Sequence, residues 1–110
     1  MASLVLTACK SRDAQRAADL ETAISWLATA EAVAQGWAAN RLPTEYAQRT
    51  LDDARRDLSS AGNTSAAAVV SALGEVVRRR DRDGMEEPLS TLRDERQLLE
   101  DTRKEEARSP

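Results

Sequence analysis

The chain has no histidine and no phenylalanine, a single cysteine, and only three aromatic side chains: Trp26, Trp37 and Tyr46. Without histidine there is no imidazole general base. With only one cysteine as well, the usual donor sets for zinc, haem and iron–sulfur centres are missing. An internal disulfide is excluded for the same reason. No stretch approaches the roughly 18 consecutive apolar residues of a membrane-spanning helix. There is no glycine-rich phosphate loop, no second carboxylate at a spacing that would make a catalytic pair, and no nucleophile beside a base. The expectation is a protein that is not an enzyme and uses neither metal nor cofactor. A net charge of −3 argues against general nucleic-acid binding.

What the chain does have is alanine and charge. Apolar residues make up 41% of it, and nearly half of these are alanine, so the core is small in volume. A length of 110 residues gives one domain. β-formers are scarce, with one isoleucine and one short valine-rich run. The expected fold is all-α: an antiparallel up-down bundle of three to four helices built on a long N-terminal helix. Helices are expected at about 12–40, 44–60, 64–80 and 87–104.

The long helix organises the rest. Between Asp13 and Asn40, Ala17, Leu20, Ile24, Leu27, Ala34 and Ala38 form one line. Ala23, Trp26, Ala30, Val33 and Trp37 form a second line beside it. At about 100° per residue the two lines merge into an apolar arc wide enough for two neighbours. Ser11 or Asp13 is a candidate cap for this helix. Gly36 is expected to bend or thin its end. Trp26 and Trp37 share one side. They read either as the large anchors of an alanine-rich core or, with Glu31, as a ligand or partner face. Glu31 falls inside the apolar arc, where it is either a buried acid with a raised pKa or a rim residue paired with an arginine of the second helix.

In helix two, Tyr46, Ala47, Thr50, Leu51, Ala54 and Leu58 make the inward stripe, with Glu45–Arg49 and Asp52–Arg56 as solvated pairs four apart. Pro43 suits its first position, or Thr44 caps it. Gly62 ends helix two, and Asn63 or Thr64 caps helix three. Asn63-Thr64-Ser65 matches a glycosylation pattern that carries little weight here. Helix three has the cleanest stripe: Ala66, Val69, Val70, Leu73, Val76 and Val77. Arg78, Arg79 and Arg80 follow. They read as a charged helix end or as a contact for an anionic group. In helix four, Met85, Leu89, Leu92 and Leu99 form a thin stripe interrupted by Arg96 and Arg103, while Leu98 points elsewhere. Glu100–Lys104 is expected to pair. So polar a helix is loosely docked or awaits a partner, and the chain is expected to fray over 102–110.

Residues Met1 to Ser11 read MASLVLTACKS, a short apolar run closed by the only cysteine and followed at once by polar sequence. The four residues Leu6-Thr7-Ala8-Cys9 resemble the lipobox of bacterial lipoproteins, here after a truncated signal peptide. The resemblance implies that Cys9 is lipidated and becomes the first mature residue, with the membrane as a partner through its acyl chains. It implies a bacterial cell-envelope location facing the periplasm or exterior. Lys10, rather than an aspartate, after the cysteine fits outer-membrane sorting in some bacteria. On this reading residues 1–11 are a signal remnant or lipid-anchor segment, and 12–101 form the bundle. The protein is then a small non-catalytic envelope lipoprotein whose bundle serves interaction or structure. The alternative treats 1–11 as a tail and the protein as a cytoplasmic helical adaptor or regulator that self-associates through its C-terminal helix.

Overall fold

The computed structural model describes the backbone from Ala2 to Arg108 and the side chains from Ala14 to Arg108. Four helices follow one another: α1 (Ala2–Ala38), α2 (Thr44–Ser60), α3 (Thr64–Arg79) and α4 (Glu86–Arg108), with a 3-10 turn at Asp83–Met85 before the last. Among the described residues there is no strand. Successive helices pack side by side and α4 closes against α1, while α2 and α4 stand at opposite corners and do not touch. This is the up-down bundle that short connections between helices favour.

The core follows the helical period. Ala23, Ile24, Leu27, Ala30, Val33, Ala34 and Trp37 of α1 are buried, as are Ala47, Leu51, Ala54 and Leu58 of α2. Ala66, Ala67, Val70, Leu73 and Val77 come from α3, and Met85, Leu89 and Leu92 from the last connection and α4. Buried alanines, three in α1, two in α2 and two in α3, let the backbones approach closely. Each large side chain therefore contributes a large share of the burial free energy, about 1.5–3 kcal/mol apiece.

Three helices end the same way. Asn40, Gly62 and Arg80 all take positive φ, at 62°, 82° and 58°. After each, the next amide reaches back to a carbonyl five residues earlier: Arg41 to Gly36, Asn63 to Leu58, Asp81 to Val76. Carbonyls that the helix leaves without partners are thereby satisfied. Glycine fits this backbone shape and asparagine tolerates it, but at Arg80 a Cβ carries the cost. Gly36 does not interrupt α1. Its missing side chain makes room for Leu42, whose Cδ1 would lie 2.8 Å from a Cβ placed there.

Several boundaries differ from the sequence expectation. α1 begins at Ala2, so Ser11 and Asp13 lie within the helix and do not cap it. Pro43 stands just outside α2 with extended backbone, and Thr44 is the first helical residue. Tyr46 is 52% exposed: the line Ala47, Leu51, Ala54, Leu58 already fills the seam, and Tyr46 falls beside it. α4 runs as helix to Arg108, and Arg103 and Glu106 in its last turns pair with Glu21 and Arg16 of α1.

Candidate functional site

Trp37 sits where the end of α1, the start of α2 and the α3–α4 connection meet. It is fully buried, its indole Nε1–H donates to the Thr44 hydroxyl at 3.0 Å, and the Arg82 guanidinium lies 4.8 Å from the ring centroid. Arg82 Nε also donates to the Trp37 carbonyl at 3.3 Å. With no exposed surface, the Trp37 ring serves the packing where these three segments meet. Trp26 is half-buried and packs against the core. Glu31 turns toward α4 instead, and the structure does not gather Trp26, Trp37 and Glu31 into one face.

Glu31 is the centre of the α1–α4 seam. Its side chain is 14% exposed and accepts from Arg93 Nε at 2.7 Å and from Arg96 Nη1. Its arginine partners come from α4, not from α2 as expected. Burial pushes the Glu31 carboxyl up, but the hydrogen bonds and charges of Arg93 and Arg96 outweigh it and hold the group below its ordinary value. The direction is opposite to the raised pKa of the buried-acid reading and fits an arginine-paired acid. Further along, Glu21 pairs with Arg103 at 2.9 Å and Arg16 with Glu106 at 3.7 Å. As the partner moves down α1 from Glu31 to Glu21 to Arg16, it moves up α4. These cross-pairs fix an antiparallel register. Glu100 approaches Arg96 at 3.9 Å instead of pairing with Lys104.

The arginine run closes α3. Arg78 and Arg79 both pair with Glu75, the latter at 3.4 Å, while Arg80 occupies the left-handed turn. Arg78 instead belongs to the rim of an open groove of about 660 Å³ between α2 and α3. Leu51 and Val70 form its floor, and Gly74 lines it with nothing within 4 Å of where a Cβ would be. Arg49, Arg55 and Arg78 rim it, with Glu45 and Asp52. The Arg55 hydrogen bond, with the charges of Arg56 and Arg55, holds the Asp52 carboxyl below its ordinary value. The expected Glu45–Arg49 pair does not form, whereas Asp52–Arg56 does, at 2.7 Å. The signal for this groove in the sequence was Gly74 itself, a residue of poor helix propensity in the middle of the cleanest helix.

The outer side of α4 is the second feature that residue-by-residue reading passed over. Leu98 is 63% exposed. At about 100° per residue, Glu87, Asp94, Glu95, Asp101 and Glu105 all lie within about 60° of it, and no basic residue does. Arg93, Arg96 and Arg103 lie on the side facing α1, as do Glu100 beside Arg96 and Glu106 against Arg16.

The lipobox-like Leu6 to Cys9 lies outside the residues whose side chains are described. Among the described residues no group of acids or cysteines is placed to hold a metal ion, and no helix is long and apolar enough to cross a membrane. No protein-family model, curated protein or solved structure matches the chain.

Proposed function

We propose that this is a non-catalytic helical module of the bacterial envelope, held to a membrane by acylated Cys9 and presenting its bundle to a protein partner. The observation that supports this reading is the unequal length of the helices. The α2–α3 turn, at Ala61 to Asn63, lies beside Asp19 and Leu20 of α1. Before that level, among the described residues, Arg16 of α1 pairs with Glu106 near the end of α4. Eleven helical residues separate Cys9 from Leu20, a rise of about 16 Å. An anchor at Cys9 would therefore set the α2–α3 lobe back from the bilayer by about that rise. Two or more acyl chains suffice for stable anchoring at about 0.8 kcal/mol per buried CH₂. The engagement of Glu31 and Trp37 in packing supports a role in binding rather than chemistry.

Metabolic palmitate labelling in a bacterial host, with the upstream reading frame intact, tests the anchor. The wild type takes up label and sediments with membranes, and Cys9→Ser does neither. A soluble, unlabelled wild type would rule the anchor out. In that event the exposed Leu98 on an acidic face favours the second reading, a cytoplasmic adaptor that self-associates through α4.

A further inference from the structure

α4 is held in two different ways along its length. Its first half docks by burial: Met85 just before it, then Leu89 and Leu92, all lie in the core. After Leu92 no described side chain of α4 is buried, and Leu99 is the one hydrophobe there that still packs against the core. Opposite this second half, residues 14–22 of α1 bury no side chain either. What joins the two stretches is charge: Glu31 with Arg93 and Arg96, Glu21 with Arg103 at 2.9 Å, and Arg16 with Glu106 at 3.7 Å. Pairs as exposed as the last two add little to stability and are screened by salt. Ile24 lies under this half. At about 100° per residue it falls between Glu21 and Glu31 around α1, on the side of α4, and it is buried without belonging to the main core.

We infer that the second half of α4, residues 93–108, is a strap that leaves α1 as one unit while the core of the bundle stays folded, with Glu31 and its two arginines as the latch. The hinge falls after Leu92, where burial stops. A helix of about 16 residues without packing is marginal in water, so the released strap melts. Release uncovers Ile24 and frees Arg93, Arg96 and Arg103 from their acids. Such sub-global openings involve the parts of a fold with the fewest buried apolar contacts. The device goes beyond the reading above and does not depend on acylation at Cys9.

The test is native-state hydrogen exchange of the full chain carrying Cys9→Ser, resolved by residue, at low and high salt. Amides of residues 97–105 are expected to share one protection factor, about tenfold or more below that of amides around Leu51 and Leu73. Val70→Ala, in the core away from the strap, is expected to lower protection around Leu51 and Leu73 by about tenfold and to leave the strap unchanged, because the open and closed forms both contain the core. Glu31→Gln, and separately high salt, are each expected to lower the strap's protection by about threefold or more. Strap amides that match the core and fall with it in Val70→Ala overturn the inference. So does protection that rises steadily from Arg108 back to Leu92, the pattern of a fraying helix end, and so does a strap unmoved by both Glu31→Gln and salt.

Discussion

Glu31 of α1 accepts a hydrogen bond from Arg96 of α4, 65 positions further along the chain, and this contact, with Arg93 beside it, sets how the last helix lies on the first. Removing the carboxylate leaves two guanidinium groups in the seam without their counter-charge. Glu31→Gln should therefore lower stability by about 1–2 kcal/mol, read from denaturant midpoints at unchanged slope.

Acid should loosen the same seam. A carboxyl held below its ordinary value contributes stability that is present above the unfolded-state value, near about 4.3, and is lost as pH falls through the lower folded-state value. Thermal melts should show wild type losing stability below about pH 4, with Glu31→Gln losing less over the same range. Equal losses in the two proteins would count against the assignment.

Arg80 occupies a left-handed turn that glycine adopts without cost. Relief of about 1–2 kcal/mol of steric strain is partly offset by the larger freedom of glycine in the unfolded chain. Arg80→Gly should accordingly gain about 0.5–1 kcal/mol in chemical unfolding. Gly62→Ala, at the equivalent turn after α2, should lose a similar amount.

At Gly74 a methyl group would meet nothing, and alanine is the better helix former. Gly74→Ala should raise the melting temperature, corresponding to about 0.5–1 kcal/mol. No packing within the chain requires glycine at this point.

The bundle was legible in the sequence because its signal is local. The lines Ala47–Leu51–Ala54–Leu58 and Val70–Leu73–Val77 carry the helical period within a few turns, and Gly62 and Asn63 mark a turn by their own backbone and capping chemistry. What was hidden depends on register between distant segments. That Glu31 needs a cation follows from its position in the apolar arc, but α2 and α4 both supply arginines, and only the packed arrangement selects Arg93 and Arg96. The cross-pairs of Arg103 and Glu106 have the same origin, since Glu21 and Arg16 lie far away in sequence. Tyr46 was misplaced because a helical stripe does not reveal how wide a seam its neighbours leave. The groove at Gly74 needs two helices side by side to exist at all.

The anchor at Cys9 is the claim on which location and role both depend. Intact mass and fractionation of the protein expressed in a bacterium from its native locus, with the codons upstream of Met1 retained, bear on it most directly. The predicted product is membrane-bound and begins at an acylated Cys9. A soluble product that keeps Met1 to Ala8 would contradict the anchor.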